Sequence, residues 1–259
     1  MFTVIVPTHE RPELLRRTLR SLIAQTYRRF TVVIVSDSAK YLPPYEELLE
    51  LHGRYVYIIR SGVAGPAESR NMGLAVAGSE YILFLDDDDT FEPGHLQALA
   101  DRISHGSPEL IFCDFKVRHE DRAKSPPAPL SMETVSIADI TKESVFVRNR
   151  IPNSCLAYRR DVIADAKFNL DLVIYEDWAF LLECLMKWNL THLPVDSVVI
   201  HKSQATSPEN LRRGNSRDDL IVETMLHLYK KYPGPDKKTR LARQSLMASA
   251  GVSVGIESC

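Results

Sequence analysis

Four consecutive aspartates, Asp86 to Asp89, are the residues whose type and spacing point most directly to chemistry. They follow the apolar run 81–85, which has the composition of a buried strand. Four adjacent carboxylates repel one another, and packing gives no reason to place them there. A divalent cation would offset the repulsion, and oxygen ligands select Mg²⁺ or Mn²⁺. The cluster therefore predicts a Mg²⁺ or Mn²⁺ site, with an acidic turn in which Asp89 or Thr90 caps the next helix as the structural alternative.

The same cluster is compatible with two kinds of enzyme. In the first, an Asp-x-Asp pair holds the cation that binds the diphosphate of a nucleotide. In the second, Asp86, Asp88 and Thr90 form Asp-x-Asp-x-Thr, the nucleophile motif of haloacid-dehalogenase-like phosphatases. That family usually carries the motif on its first strand with glycine before the threonine, whereas here it follows the fourth predicted strand and Asp89 takes the glycine position. The first interpretation is favoured, and the phosphatase stays as the enzymatic alternative.

A second acidic pair, Glu176 and Asp177, lies at the predicted start of a helix. Adjacent carboxylates in a partly buried position raise the pKa of one of the pair. A carboxylate within hydrogen-bond reach can take the proton of an attacking hydroxyl group. The pair is therefore a candidate catalytic base, and the alternative is that two acids simply stabilise the first turn of the helix.

The composition excludes several classes of protein. Of the 259 residues, 44% are hydrophobic and 25% are charged, as in ordinary globular proteins. The formal net charge of −2 argues against a general nucleic-acid-binding protein. No apolar stretch approaches the ~20 residues of a membrane span, and no signal peptide is evident. The four cysteines are widely spaced without a Cys-x-x-Cys pair, which predicts a cytoplasmic protein rather than a disulfide scaffold.

Apolar runs typical of buried strands alternate with helical patterns in the first half of the chain. We predict strands over 2–6, 31–35, 55–59, 81–85 and 110–115, and helices over 12–23, 44–51, 67–77 and 93–104. This alternation indicates a mostly parallel sheet covered by helices on both faces. Ligands of such sheets bind beyond the carboxyl ends of the strands. Polar residues follow the first, second and fourth strands, at 8–10, 36–38 and 86–89, so we place the active site at that edge.

The second half of the chain is less regular. Residues 118–131 contain His-Glu-Asp-Arg and three prolines, and we predict an exposed connection there. A helix is expected over 177–188, a strand over 195–201 and an amphipathic helix over 218–232. The remaining residues, which begin with a basic stretch over 237–243, form either a peripheral helix or a frayed tail.

Four segments resemble, in the right order, the glycosyltransferase family 2 domain of the GT-A fold. They are the residues 4–15, 19–27, 70–74 and 81–89. Glu176 and Asp177, within Tyr-Glu-Asp-Trp, resemble the Glu-Asp motif that lies near the acceptor in that family. The resemblance covers about residues 2–201. It implies an α/β, Rossmann-like GT-A fold with a nucleotide-sugar-binding half over 1–118, an acceptor-binding half of the same domain over 119–216 and a helical C-terminal extension over 217–259.

The resemblance also implies which residues contact the nucleotide-sugar: Pro7, Thr8, Glu10, Asp37, Arg70, Asp86 and Asp87. Asp37 would hydrogen-bond the base, for which uracil offers an N–H donor. The family usually has two acids before a glycine at this place, whereas this chain has Ser36-Asp37-Ser38 and so lacks one carboxylate. Arg70 would lie near the phosphates or the sugar, and Asp87 would face the ribose hydroxyls.

The metal and catalytic residues are carried over in the same way. Asp88 would be the direct ligand of Mn²⁺ or Mg²⁺, with support from Asp86. Some GT-A enzymes have a histidine near the metal or a phosphate at the place of His201, for which an ordinary polar strand end is the alternative. Asp177, beside Glu176, would be the catalytic base.

Three further residues have roles that the resemblance leaves open. Trp178 directly follows the candidate base, so it is a candidate for stacking on the acceptor sugar. Arg212 and Arg213 lie in a polar stretch that is either a solvated loop or a lid over the diphosphate.

The resemblance therefore implies an inverting, metal-dependent transferase that moves one sugar from a nucleotide-diphospho-sugar, with UDP favoured, to a hydroxyl group. A glycan, a lipid-linked intermediate or a glycoconjugate would be the acceptor. The Gln-x-x-Arg-Trp element of processive synthases is absent, which favours single transfers. A catalytically inactive nucleotide-sugar-binding protein is the non-enzymatic alternative. The basic stretch 237–243 adds the hypothesis of peripheral attachment to an anionic membrane surface.

Overall fold

Residues 1–203 and 218–258 are described in the computed structural model. Their strands are β1 (Phe2–Thr8), β2 (Phe30–Ser36), β3 (Tyr55–Ile59), β4 (Tyr81–Phe84), β5 (Thr90–Phe91), β6 (Leu110–Asp121), β7 (Ala128–Val135), β8 (Leu156–Arg159) and β9 (Leu190–Ser203). Their α-helices are α1 (Pro12–Ile23), α2 (Tyr45–Glu50), α3 (Pro66–Val76), α4 (His95–Ser104), α5 (Lys142–Val147), α6 (Glu176–Leu185), α7 (Asp218–Lys231) and α8 (Lys237–Ser249).

The strands form one mixed sheet in the order β3-β2-β1-β4-β8-β6-β9-β5, and β7 pairs with the second half of β6. The first four strands in this order are parallel, as the alternation of strands and helices predicts. β8 is antiparallel to both β4 and β6, and β9 runs parallel to β6. The predicted α/β fold class is confirmed. Three strands were not predicted because none of them is a long apolar run: the short strands β5 and β8 and the polar strand β7.

The buried strands and the amphipathic helix α1 build the core that supports the site. β1 is buried along its whole length, and Leu15, Leu19 and Leu22 of α1 are buried with it. Gly73 of α3 lies so close to β1 that an added Cβ would overlap the side chain of Ile5. This close packing fixes the position of α3 against the first strand.

The region 118–131 is an exposed connection only in part: residues 123–126 are exposed between two strands, but the flanking residues are paired in the sheet. β6 continues to Asp121 and forms an antiparallel hairpin with β7, which starts at Ala128. The prediction fails for the end of β6 because Glu120, which has the pattern of a solvated charge in the sequence, is buried among positively charged partners. The strand also runs across the predicted boundary between 118 and 119, so both predicted halves contribute to one sheet.

The C-terminal residues form two helices, α7 and α8, and the expected helix over 218–232 is confirmed. Arg243 of α8 is fully buried, donates from Nε to the carbonyl oxygen of Phe146 at 2.7 Å and lies 4.2 Å from the ring centroid of Tyr229. Arg243 is therefore a core residue and is not available to an anionic membrane, in contrast to the exposed Lys237 and Lys238. Within the described ranges, no helix combines the length and the hydropathy that a transmembrane helix needs.

Candidate active site

The site lies where the carboxyl ends of β1, β2 and β4 meet. Thr8 at the end of β1 is in register with Ser36 at the end of β2. The hydroxyl of Thr8 donates to Oδ2 of Asp87 at 2.7 Å, which connects the end of β1 to the aspartate cluster after β4. The predicted edge of the sheet therefore brings together residues from 7–10, 36–38 and 86–89.

Three of the four aspartates form a group that can hold a cation. Asp86, Asp88 and Asp89 each offer a carboxylate oxygen, and these oxygens lie within 4.8 Å of one another. Oxygen ligands at this spacing fit Mg²⁺ or Mn²⁺. The two oxygens of Asp89, however, accept hydrogen bonds from the Ser154 hydroxyl at 2.8 Å and the backbone N–H of His201 at 3.1 Å. Asp89 is thus held by neutral hydrogen-bond donors, whereas Asp86 and Asp88 contact arginine side chains.

Neither Asp89 nor Thr90 caps the following helix. α4 begins at His95, its N-cap residue is Gly94, and no side chain accepts a hydrogen bond there. The capping alternative for the cluster is therefore wrong, because the five residues 90–94 separate the aspartates from the helix.

Asp87 faces back toward β1. Its carboxylate is completely buried and forms a 2.5 Å ion pair with Nη2 of Arg11, in addition to the bond from Thr8. Burial raises the pKa of Asp87 to about 6, and the charge of Arg11 acts in the opposite direction. In this arrangement Asp87 anchors the cluster, and its contact with a ribose stays a prediction.

Arg70 of α3 joins the aspartate cluster to the start of α6. Its Nη2 donates to Asp86 Oδ1 and its Nη1 donates to Glu176 Oε1, both at 2.8 Å. The guanidinium also lies 5.3 Å from the ring centroid of Phe168, and its side chain is only 5% exposed. The structure thus brings three predicted site residues from distant parts of the chain into direct contact.

Asp177 lies beside this group in the first turn of α6. The backbone N–H of Trp178 donates to Asp177 Oδ1 at 2.7 Å. Burial, together with the neighbouring charge of Glu176, raises the pKa of Asp177 to about 6, and the charge of Arg70 acts in the opposite direction. A carboxylate with this pKa is ionised at neutral pH and is basic enough to accept a proton.

Trp178 itself is a core residue and not part of an acceptor surface. It is 1% exposed, and its indole N–H donates to the carbonyl oxygen of Val145 at 2.9 Å. The expectation that Trp178 stacks on a sugar is wrong because the indole points from α6 toward α5. Arg212 and Arg213 lie outside the described residues.

The region predicted to bind the base is organised around Asp37. Its Oδ2 accepts from the backbone N–H of Gly65 at 2.7 Å, and its Oδ1 lies 2.5 Å from Nδ1 of His9. The Asp37 side chain is 3% exposed, whereas that of His9 is 39% exposed. Thus His9 covers the carboxylate that is predicted to contact the base.

Pro7 and Glu10 flank Thr8 and His9 in the sequence at the end of β1. Pro7 is buried in β1. Glu10 has a positive φ of 50°, and its carboxylate accepts from Lys40 Nζ at 2.9 Å and from the Ser38 hydroxyl at 3.0 Å. A small cavity of about 30 Å³ is lined by residues that include Thr8, Glu10, Ser36, Ser38, Tyr41 and Tyr57. Two of the predicted nucleotide contacts, Thr8 and Glu10, therefore line one cavity. The contacts of Pro7, Thr8, Glu10 and Asp37 with a nucleotide stay predictions.

His201 lies under the cluster, with both ring nitrogens engaged. Nε2 is 3.0 Å from the Thr90 hydroxyl oxygen, and Nδ1 is 3.0 Å from Oε2 of Glu120. Burial lowers the pKa of the imidazole, which is 2% exposed. The structure does not place His201 in the group of three carboxylates, and its predicted contact with a metal or a phosphate stays a prediction.

A set of charged residues that sequence reasoning missed surrounds Asp88. The Asp88 Oδ2 atom lies 3.3 Å from Nη1 of Arg11 and 3.2 Å from Nη1 of Arg122. Glu120 accepts from Arg17 Nη1 at 2.7 Å and from Arg122 Nε at 2.8 Å. Burial alone would raise the pKa of Glu120, but hydrogen bonds from His201, Arg17 and Arg122 lower it to about 2.

The one signal for this set was the spacing of Glu120 and Arg122. Residues two positions apart lie on the same face of a strand. Extending β6 by periodicity beyond 115 would have placed both side chains together at the end of the sheet where the site lies.

Comparison with known proteins places the chain among sugar-transferring enzymes. The profile described as glycosyl transferase family 2 matches residues 3–165. The uncharacterized glycosyltransferase YwdF of Bacillus subtilis (strain 168) is 25% identical over 222 residues, which cover 85% of this chain and 81% of YwdF. The poly(ribitol-phosphate) beta-N-acetylglucosaminyltransferase TarP of Staphylococcus aureus (strain N315) is 26% identical over 259 residues, which cover 93% of this chain and 76% of TarP.

A solved structure shows the same fold. The crystal structure of a fragment of S. aureus TarS in complex with UDP-GlcNAc matches with a TM-score of 0.70 at 16% identity, covering 97% of this chain and 73% of that chain. The matched family region spans more than half of the sequence and contains all four N-terminal segments that carry the resemblance. The chain therefore belongs to glycosyl transferase family 2.

Proposed function

We propose that this protein is an inverting, metal-dependent glycosyltransferase that moves one sugar from a nucleotide-diphospho-sugar to a hydroxyl group. The observation that carries the proposal is the contact of Arg70 with both Asp86 and Glu176. It joins the predicted cation site to the start of the helix that holds Asp177. Groups suited to a leaving diphosphate and a group suited to an attacking hydroxyl therefore face one site.

The proposed donor is a UDP-sugar. TarS, which has the same fold, is described in complex with UDP-GlcNAc, and TarP is named as an N-acetylglucosaminyltransferase. UDP-N-acetylglucosamine is therefore the donor to test first. The groups around Asp37 and Thr8 supply the hydrogen-bonding positions at the expected place of the base and the ribose.

Asp88 and Asp86 would hold the divalent cation. A bound Mg²⁺ or Mn²⁺ would supply positive charge that offsets the negative charge growing on the diphosphate as the sugar leaves. The geometry supports this proposal through the three carboxylates grouped within 4.8 Å.

Asp177 acts as the base in the proposed reaction. The acceptor oxygen forms a bond to the anomeric carbon, while the bond from that carbon to the diphosphate breaks and its electron pair leaves with the diphosphate. The hydroxyl proton passes to the carboxylate of Asp177. Attack opposite the leaving group inverts the anomeric configuration. Glu176, held by Arg70, maintains the raised pKa of Asp177.

The proposed acceptor is a glycan, a lipid-linked intermediate or another glycoconjugate. TarP is named for its action on poly(ribitol-phosphate), which offers hydroxyl groups, so a polyol-phosphate polymer is one acceptor to include in a screen.

We further propose a cytoplasmic location. If the protein attaches peripherally to an anionic membrane, the exposed Lys237 and Lys238 are the residues of the basic stretch that would contact it. Sedimentation with anionic vesicles, compared with a Lys237→Gln/Lys238→Gln variant, tests that contact.

A panel of nucleotides tests the donor site. The melting temperature is measured with UDP, GDP, dTDP and CDP, each with Mn²⁺, Mg²⁺ or EDTA, because a ligand that binds the native state raises it. We expect a metal-dependent increase with UDP. UDP release from UDP-N-acetylglucosamine is then measured with and without acceptor.

Two outcomes would favour the alternatives. Family membership already argues against the phosphatase, but phosphate release from a simple ester without any nucleotide binding would support it. UDP binding with neither transfer nor donor hydrolysis would favour the inactive nucleotide-sugar-binding protein.

A further inference from the structure

Arg122 is a buried arginine that reaches Asp88 from the hairpin of β6 and β7. Its side chain is 8% exposed. Each terminal nitrogen and Nε has a partner: Nε donates to Glu120, Nη1 to Asp88 Oδ2 at 3.2 Å and Nη2 to the carbonyl oxygen of His201 at 3.0 Å. Together with Arg11, the guanidinium therefore neutralises the aspartate that is the proposed ligand of the cation.

This contact cannot persist unchanged when a divalent cation binds Asp88. Asp88 Oδ2 already lies 3.3 Å from Nη1 of Arg11 and 3.2 Å from Nη1 of Arg122. A divalent cation would add a third positive charge to the same carboxylate and repel both guanidinium groups. Cation binding must therefore weaken the bond between Arg122 Nη1 and Asp88. The bond between Arg122 Nε and Glu120 does not involve Asp88, so the side chain stays anchored while Nη1 is released.

A diphosphate coordinated to that cation would place its oxygens beside the released nitrogen. Arginine suits this contact because its planar group donates to phosphate oxygens in a fixed direction. Glu120 favours the contact further, since it accepts from both Arg17 and Arg122 and keeps the guanidinium of Arg122 oriented.

We propose that Arg122 is a further donor-binding residue, which neutralises Asp88 in the empty site and donates to the diphosphate once the cation has taken its place. This inference rests on the proposed function, because it requires a nucleoside diphosphate and a divalent cation. The inference predicts two opposite effects of the Arg122 side chain on binding. Arg122 competes with the cation alone but assists the complete donor.

The affinity for Mn²⁺ alone and the affinity for UDP in the presence of Mn²⁺ are measured separately. Mn²⁺ alone is titrated by electron paramagnetic resonance, and UDP is titrated calorimetrically at saturating Mn²⁺. In Arg122→Gln we expect Mn²⁺ alone to bind several-fold more tightly and UDP to bind about tenfold more weakly, the loss typical of one hydrogen bond to a charged group. The control is Arg118→Gln, which removes the same charge from the adjoining strand β6, and both affinities should stay at the wild-type value.

Arg122→Lys separates charge from geometry. Lysine keeps the positive charge but cannot reproduce the planar contacts, so the affinity for UDP should fall while that for Mn²⁺ stays near the wild-type value. A folded Arg122→Gln variant in which Mn²⁺ binds no more tightly, or UDP binds as well as in the wild type, would overturn the proposal.

If Arg122→Gln does not fold, amide hydrogen exchange of the wild-type protein tests whether Arg122 leaves Asp88 for the diphosphate. Amides of 120–128 should exchange faster with Mn²⁺ alone and become protected again when UDP is added. No change on addition of Mn²⁺ would contradict the inference. If the wild type binds no UDP at all, the proposed function itself fails, which is a different result from equal UDP binding by wild type and variant.

Discussion

The carboxylates of Asp86 and Glu176, 90 positions apart in the sequence, are bound at 2.8 Å by the two terminal nitrogens of one arginine, Arg70. One residue belongs to the proposed cation site and the other adjoins the proposed base. Arg70 therefore fixes the proposed cation site and the proposed base relative to each other. α3, which carries Arg70, is the element that makes this link.

Replacement of Arg70 by glutamine should remove both activity and stability. Breaking a buried ion pair from one side leaves uncompensated charge and costs about 3–5 kcal/mol. We expect a clear drop in the free energy of unfolding, measured in urea, and a loss of transfer of about 100-fold or more in the protein that remains folded. Arg150→Gln is the control, because its pair with Asp139 is exposed and such pairs contribute about 0–1 kcal/mol. Equal effects of the two substitutions would contradict the role of Arg70.

The rate of transfer should depend on the ionisation of Asp177. Because the pKa of Asp177 is raised to about 6 by burial and by Glu176, the active ionised form is lost as the pH falls. The rate should be level above pH 7 and about tenfold lower at pH 5. Asp177→Asn should retain UDP binding and lose transfer at every pH.

Glu176→Gln shows whether this pH dependence belongs to Asp177, since Asp87 has a similarly raised pKa. Removing the neighbouring negative charge lowers the pKa of Asp177, so the midpoint of the pH–rate profile should move to lower pH. A midpoint that stays in place would assign the titration to another group.

Asp88 and Asp89 should respond differently to the same substitution, although they are adjacent. Asp88→Asn should lose the Mn²⁺-dependent increase in melting temperature with UDP, in addition to any stability lost with its contacts to Arg11 and Arg122. Asp89→Asn should lower the melting temperature without any ligand, because its amide would face one of two donors, Ser154 or the N–H of His201. An unsatisfied buried group of this kind costs about 1–3 kcal/mol. Indistinguishable variants would show that the aspartates are not divided between metal binding and structure.

The binding of the base should depend on the pair of His9 and Asp37 and not on the cation site. His9→Ala should weaken UDP binding about tenfold, because Asp37 would lose the hydrogen bond that holds its Oδ1 in place, and it should leave the affinity for Mn²⁺ unchanged. Asp37→Asn retains one acceptor for the N–H of Gly65 and should have a similar effect. A change in Mn²⁺ affinity in either variant would mean that the two parts of the site are coupled.

The aspartate cluster and the parallel strands were predictable because both are local patterns. Apolar runs identify β1, β2 and β4, and in a parallel sheet their carboxyl ends must meet. The partners of Glu120 were not predictable in this way, since Arg17 lies 103 positions earlier and His201 lies 81 positions later. Without those partners, a glutamate between charged residues and prolines is indistinguishable from a solvated loop. The roles of the individual aspartates could not be predicted for the same reason. Asp89 accepts a hydrogen bond from Ser154, which lies 65 positions away in the sequence.

A methyl group at Gly73 provides a test of how precisely α3 must be placed. In an exposed helix the change from glycine to alanine stabilises by about 1 kcal/mol, but at Gly73 the new Cβ would overlap the side chain of Ile5 in β1. Overpacking of a core typically costs about 1–3 kcal/mol, so Gly73→Ala should lower the melting temperature. It should also reduce transfer more than UDP binding, because a shift of α3 disturbs the contacts of Arg70 on both sides. Gly78→Ala is the control, since no atom lies near its Cβ position, and it should leave stability and transfer at the wild-type level. If Gly73→Ala is as stable and as active as this control, the close contact of α3 with β1 does not position the site.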